Sequence, residues 1–429
     1  MNIITITVIA IIVAVLLGFL TNINIGLYAF AFAYLIGCYG LGMLPKAITG
    51  LLPTQIFYLF FAVTFFYSFT TEDGTLELIS KKAIYATRKV PVLLPFVILL
   101  ISGALAAMGA GLYAILALMV PVGISMTKTA GMHPFLGGIT AAYGASIGSN
   151  FRYSSGGVII NGLISKDGYD AASAMAYTDQ AFFNMALLYL IMTVIMFFFL
   201  KGYKVRTIEI EKPVAFNKKQ KANLVILLCV IAVVILPALF TSVLPNITLV
   251  AKMSKYADIG FAATIASLIV LALKLGDAKV AFARVPWATL ITICGVSTLM
   301  GVATEAGVID ALTNWVSANV APAWIPAIVM LTGNCLSVFG SGYGVVMPTL
   351  FPMVPALAIA AGVNPGMLYS VTVLSAFLTG VSPFSSGGGL IQAGVHDDAL
   401  RAKFFNWQLM MIGAGVTAGL LYTYTIMIK

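Results

Sequence analysis

The sequence predicts an all-α polytopic membrane protein built from two inverted repeats, with about 10 transmembrane helices, two re-entrant hairpins and two broken helices. Three observations carry this. First, 61% of the 429 residues are hydrophobic and 9% are charged, far outside the composition of soluble domains. Second, apolar runs of roughly 20 residues, the length that spans a bilayer, recur from one end of the chain to the other. Third, the chain repeats itself. At an offset of 231 residues, Gly109 aligns with Gly340, Gly111 with Gly342, Pro121 with Pro352 and Pro134 with Pro365. Ser154-Ser155-Gly156-Gly157 aligns with Ser385-Ser386-Gly387-Gly388 at the same offset. Further upstream the offset becomes 233, as in Pro53 with Pro286 and Gly74 with Gly307. The matches are mostly Gly, Pro and Ser, residues that fix backbone geometry, so shared hydrophobicity does not account for them. Two copies, 1–200 and 222–429, flank a basic linker over 201–221.

The elements of the first copy follow in order. Scaffold helices near Ile3–Leu20, Gly26–Leu44 and Pro53–Thr71 occupy residues 1–71. Met1–Leu20 lacks the basic start and small-residue cleavage site of a signal peptide, so it is expected to be the first transmembrane helix. Glu72–Lys89 is too charged to span. Its Leu76, Ile79, Ala83 and Ile84 recur at helical spacing, which predicts an amphipathic surface arm over 72–90. The apolar stretch 91–128 is interrupted at Ala107–Gly111, leaving arms of about 16 residues, short for a crossing. A re-entrant hairpin with a glycine tip fits it; two full spans with a tight turn are the alternative. The segment 133–165 is longer than one crossing needs unless it breaks in its middle, where Ala145–Asn161 is polar and glycine-rich. A helix over 177–200 closes the copy. The second copy repeats the plan: scaffold helices within 222–303, a surface arm over 304–319, a hairpin over 322–361 interrupted at Gly340–Gly344, a broken helix over 365–395 and a last helix over 404–428.

The net charge of +9 comes from Lys and Arg clusters between apolar runs. With the linker in the cytoplasm, seventeen basic residues fall inside and five outside, the bias that sets topology. Both termini are then outside, the two surface arms lie on opposite faces, and the copies are inverted. The expected location is the cell (inner) membrane. Cys38, Cys229, Cys294 and Cys335 sit in apolar segments without metal-ligand spacing and are expected as buried small hydrophobes. With only His133 and His396, no His-Glu-x-x-His, no Walker A sequence and no nucleophile–base pair, neither an enzyme nor an ATP-driven pump is expected. No cofactor and no nucleic-acid partner is implied.

Inverted repeats with broken helices and facing hairpins are a recurrent construction of secondary transporters. A break at mid-membrane exposes N–H groups on one half-helix and C=O groups on the other, which attract anions and cations respectively. The candidate substrate-binding residues are therefore Asn150, Arg152, Ser154, Ser155 and Gly156 at the first break, and Ser382, Ser385, Ser386 and Gly387 at the second. The hairpin tips add Gly109 and Gly111, and Gly340, Ser341 and Gly342. Sodium is the candidate coupling ion, with Ser149, Asn150 and Ser382 as oxygen ligands. For any single glycine, helix packing is the competing explanation. Arg152 has Pro383 as its counterpart and so breaks the symmetry. An intramembrane arginine is costly and can pair bidentately with a carboxylate; the alternatives are an arginine that bonds carbonyls structurally, or one that snorkels to a membrane face. No acidic residue is expected inside the core: Asp167, Asp170 and Asp179 flank the outer end of the first broken helix. That balance favours an anionic substrate. A channel is the alternative from another class of function.

The layout resembles the ion-transporter superfamily of elevator-type carriers, the divalent anion/sodium symporters within it, and among those the bacterial malonate/dicarboxylate (MatC-like) carriers. Leu27–Leu44 with Pro45-Lys46, Gly109–Pro121, Ala141–Gly157, Gly340–Pro355 and Ser375–Gly388 carry the resemblance. It implies a homodimer whose mobile transport part slides across the bilayer with a small dicarboxylate of the malonate, succinate or malate class, by sodium symport or anion exchange. In the symporters each tip carries Ser-Asn-Thr; here Gly-Ala-Gly-Leu-Tyr and Gly-Ser-Gly-Tyr-Gly stand instead. Another organic or inorganic anion, or cation/proton antiport, is the alternative on the same scaffold.

Overall fold

The structure, a computed structural model, describes residues 2–21, 23–86, 90–205, 212–243, 258–395 and 397–428. Among the described residues every regular element is a helix. The first half runs α1 (Ile3–Thr21), α2 (Ile25–Tyr34), α3 (Pro45–Gly50), α4 (Thr54–Glu72), α5 (Thr75–Ala86), α6 (Leu94–Leu105), α7 (Leu112–Thr129), α8 (Pro134–Ser149), α9 (Ser155–Lys166) and α10 (Ala171–Phe199). The second runs α11 (Lys218–Val243), α12 (Ile259–Ala272), α13 (Ala278–Arg284), α14 (Trp287–Glu305), α15 (Val308–Asn319), α16 (Ile325–Phe339), α17 (Met347–Leu350), α18 (Val354–Ala361), α19 (Pro365–Leu378), α20 (Ser386–Ala393) and α21 (Asp398–Tyr422). Seven helical stretches among the described residues are long and apolar enough to cross a membrane, with shorter apolar helices between them. The protein is a multi-pass membrane protein.

Both interruptions expected in the hairpin regions are present. Between α6 and α7, Gly109 (φ +95°) and Gly111 (φ +80°) take backbone angles that a side chain disfavours. Between α16 and α17 the chain is extended at Gly340 and then makes a wide turn over Gly342–Val346. The arms are longer than expected: Pro91–Gly109 has 19 residues, Leu112–Thr129 18, Pro322–Phe339 18 and Gly342–Ala361 20. Each is long enough to cross, so arm length does not by itself argue for re-entry.

Several helix starts differ from the expectation for one reason: apolar runs do not see polar first turns. α10 begins at Ala171, not Tyr177, because the Asp170 carboxylate accepts from the amides of Ala172 and Ser173. α21 begins at Asp398, not Phe404, under the Asp397 cap, which accepts from the Leu400 amide. Thr304 and Glu305 end α14 instead of opening the second surface arm, which starts at Val308 after Gly307 (φ +77°). In the first surface arm Leu76 and Leu78 are buried and Ile79 is half-buried; the Ala83 and Ile84 side chains, Arg88, Lys89, linker residues 206–211, Lys252, Lys255 and His396 lie outside the described residues. Of the cysteines, Cys294 is buried and Cys38 half-buried, but Cys229 and Cys335 are exposed. A lipid-facing surface is itself apolar, so a small apolar thiol has no need of a protein interior.

The chain forms two compact units that cut across the sequence repeats: residues 1–57, 159–195 and 287–429, and residues 58–158 and 196–286. In the second unit, α8 packs backbone to backbone against α6 and α7. A Cβ on Gly148 would lie 1.9 Å from the Gly103 carbonyl oxygen, one on Gly144 2.1 Å from that of Leu99, and one on Gly137 2.0 Å from that of Gly123. Small residues permit such contact where lipid supplies no hydrophobic drive. The ring of Tyr67 on α4 covers Gly109 at the tip. Asn223 of α11 donates to the Asp73 carboxylate at 2.7 Å, tying α11 to the start of the first surface arm. In the first unit, α2 and α14 approach through Gly26 and Gly295, and Asn24, the N-cap of α2, donates to the Ala288 carbonyl and accepts from the Thr292 hydroxyl. α19 is buried along nearly its whole length and packs on α16, where the Ser337 hydroxyl donates to the Ala376 carbonyl at 2.6 Å.

Candidate functional site

The two breaks are built alike. In the second unit, α8 ends at Ser149 and α9 starts at Ser155. The Ser154 hydroxyl donates to the carbonyls of Ser149 (2.5 Å) and Phe151 (2.7 Å), and its oxygen accepts from the Gly157 amide (3.4 Å). In the first unit, α19 ends at Leu378 and α20 starts at Ser386. The Ser385 hydroxyl donates to the carbonyls of Gly380 (2.6 Å) and Ser382 (2.9 Å), and its oxygen accepts from the Gly388 amide (3.0 Å). The partners stand at the same spacing in both copies. Gly157 and Gly388 match as well: a Cβ would lie 2.0 Å from the Phe151 carbonyl oxygen in one and 1.8 Å from that of Ser382 in the other.

The repeated Ser-Ser-Gly-Gly therefore divides by role. Ser154 and Ser385 are N-caps, and Gly157 and Gly388 close the turn; their polar groups are spent on the backbone. Ser155, Gly156, Ser386 and Gly387 occupy the first turn, where amides are not paired within the helix. Ser386 is exposed and Gly387 half-buried, whereas Ser155 and Gly156 are buried. Ser154→Ala and Ser385→Ala should each lower stability by about 1–2 kcal/mol, the cost of an N-cap. Ser386→Ala should leave the unfolding midpoint unchanged and alter only substrate affinity; thermal unfolding in detergent beside an uptake titration separates the two.

The other candidates fall as follows. Asn150 and Ser149 are fully buried, and the Asn150 amide donates to the Ser146 carbonyl at 2.8 Å, as does the Ser149 hydroxyl at 3.0 Å. Arg152 is half-buried, with its guanidinium carbon 5.8 Å from the centre of the Tyr153 ring. At the first tip, a Cβ on Gly111 would come 3.7 Å from the Ser155 hydroxyl oxygen, so tip and break adjoin. At the second, Gly342 abuts the Ala376 carbonyl next to the break, and the Ser341 oxygen accepts from the Gly344 amide at 3.1 Å. Gly340 is buried, and Ser382 is buried with its oxygen accepting from the Phe384 amide. The residues of the first break and tip belong to one compact unit and those of the second break and tip to the other.

Two features escaped sequence reasoning. Gln408 on α21, fully buried, donates to the carbonyls of Val381 (2.8 Å) and Gly388 (3.0 Å), bridging the two sides of the second break. A glutamine in an apolar run is the signal that could have flagged it. Asp167, placed by sequence at an outer end, accepts a 2.6 Å hydrogen bond from the Tyr369 hydroxyl of α19. No local pattern announces a partner 202 residues away.

Residues 1–149 match the family described as dicarboxylate carrier protein MatC, N-terminus. No curated protein matches the chain. Among solved structures, MtrF of Neisseria gonorrhoeae, which illuminates a class of antimetabolite efflux pumps, superposes with a TM-score of 0.59 at 13% identity, over 89% of this chain and 83% of that one. The YdaH transporter of Alcanivorax borkumensis superposes with a TM-score of 0.55 at 12% identity, over 91% and 90%. At these identities the likeness to the solved structures is one of fold.

Proposed function

We propose, from the premise that this chain is a membrane transporter with a MatC-type N-terminal region, that it is a secondary active carrier of a small dicarboxylate of the malonate, succinate or malate class. The match over residues 1–149 is the observation that carries this reading. Arg152 pairs with a substrate carboxylate, and Ser155 and Gly156 at the same break supply hydroxyl and amide donors, with the adjoining Gly109–Gly111 tip as a re-entrant hairpin. Ser386 and Gly387 at the second break are candidate donors within their own unit. The two repeats are inverted, and a homodimer in the cell (inner) membrane moves substrate by an elevator motion. Coupling is to sodium, with Ser149, Asn150 and Ser382 as the candidate ligands, or to a counter-anion.

Uptake of labelled malonate, succinate and malate into proteoliposomes tests it. Saturable uptake of at least one is expected. Acceleration by a sodium gradient selects symport, and acceleration by internal dicarboxylate selects exchange. Failure to move any carboxylate under either condition rejects the reading.

A further inference from the structure

Within the unit of residues 1–57, 159–195 and 287–429, a cavity of about 480 Å³ lies away from the second break and is lined by Leu51, Lys166, Asp167, Ser297, Thr304 and Glu305 among others. It is far larger than the space a water molecule needs. The Lys166 ammonium donates to the backbone carbonyls of Leu51 (3.0 Å) and Ser297 (3.5 Å), binding the end of α9 to the α3–α4 connection and to α14. Ser297 is 3% exposed, and its hydroxyl has no hydrogen-bond partner among the described residues. Asp167 follows directly on Lys166. Its Oδ2 accepts from the Tyr369 hydroxyl, and the residue stays half-buried beside the cavity. The ionisable groups around it are Lys166, Tyr369 of α19, Tyr169 and Tyr177, with Glu305 across the cavity and Cys294 close to Lys166.

We infer that Asp167 is a proton-binding site of the transport cycle: its carboxylate takes a proton from the cavity, carries it with the substrate and releases it on the other side. The inference rests on the carrier reading above and adds the proton to its coupling. In the step, a hydronium ion transfers its proton to Oδ1, an O–H bond forms and water remains; release is the reverse. Oδ2 is engaged by Tyr369, so Oδ1 is the oxygen that takes the proton. Burial pushes the Asp167 carboxyl up to about 7, against the opposing pull of the Tyr369 hydrogen bond and the Lys166 charge. Asp170, three residues on and exposed, is instead held below its ordinary value by hydrogen bonds from Ser173. Asp167 is thus neutral below about pH 7 and ionised above it. Ionisation puts a negative charge beside Lys166, which competes with the Leu51 and Ser297 carbonyls for the ammonium. The proton's presence is thereby read by the tether that holds α9 to α14. Stability carries the same sign: the folded state binds the proton more tightly than the unfolded chain, so stability falls as pH rises from about 4 to 7 and then levels.

Infrared difference spectra recorded during a pH titration in detergent test the site without transport. The wild type should show the carbonyl band of a neutral carboxylic acid with a midpoint near pH 7, and Asp167→Asn should lose it. Tyr369→Phe should move the midpoint upward by about one pH unit, because a bond that favours the anion is gone. In proteoliposomes holding a pH-sensitive dye, dicarboxylate entry by the wild type should change the internal pH. In Asp167→Asn the ratio of pH-driven uptake to substrate counterflow should fall more than about tenfold. The inference is overturned by a wild type with no titrating band, by a band that survives Asp167→Asn, or by an unchanged ratio. A wild type that moves no dicarboxylate would reject the carrier reading, and the infrared titration would still decide whether Asp167 takes the proton.

Discussion

Replacing Arg152 with alanine should reduce dicarboxylate uptake by about 30-fold or more, since truncating one partner of a hydrogen-bonded charge pair away from bulk water costs about 2–5 kcal/mol. Arg152 stands between α8 and α9, half-buried, beside the Tyr153 ring. Its position in the second copy is Pro383, so the repeat cannot explain it as part of a common frame. Arg152→Lys keeps the charge but loses the planar fork that meets both oxygens of a carboxylate, and should recover only part of the rate. Thermal unfolding in detergent, read beside uptake, separates a lost substrate contact from a weakened fold. Initial uptake at subsaturating substrate is the measurement. Wild-type uptake by Arg152→Ala would remove this residue from the site.

The second large effect is expected at two glycines. Gly157→Ala and Gly388→Ala should each destabilise the protein by about 1–3 kcal/mol or more and abolish uptake, because the added Cβ meets a backbone carbonyl oxygen that cannot rotate away. The neighbouring Gly389 is the control. Nothing lies within 4 Å of a Cβ built there, so Gly389→Ala should stay within about 0.5 kcal/mol of the wild type. Thermal unfolding in detergent, read beside uptake, distinguishes the three. Equal tolerance of alanine at all three positions would contradict the close approach described for the two turns.

Both effects bear on what the sequence could show. The sequence placed the breaks inside 133–165 and 365–395, and within them, at the Ser-Ser-Gly-Gly motif, α9 starts at Ser155 and α20 at Ser386, each after a serine cap. What it could not do was divide labour inside the motif. Ser154 and Ser155 are the same residue type one position apart, yet the hydroxyl of Ser154 is taken up by the carbonyls of Ser149 and Phe151. That follows from where the chain turns after α8, which is not written in residue type. The interruption at Gly109 and Gly111 was legible because glycine is the residue that reaches a positive φ without strain. The starts of α10 and α21 were misjudged by several residues because hydropathy registers apolar content, while Asp170 and Asp397 set those starts by capping.

Composition and periodicity by themselves determined that the chain is helical and crosses a membrane several times. Those properties follow from the length and apolarity of each segment and from backbone chemistry, which are local. Tertiary structure alone decided three others: that α8 is gripped by carbonyls of α6 and α7 through Gly137, Gly144 and Gly148, that Gln408 bonds carbonyls on both sides of the second break, and that Asp167 meets Tyr369. Each depends on a partner distant in sequence. In a chain this apolar almost any segment could pack beside any other, so the choice is made by which backbones come close enough to bond.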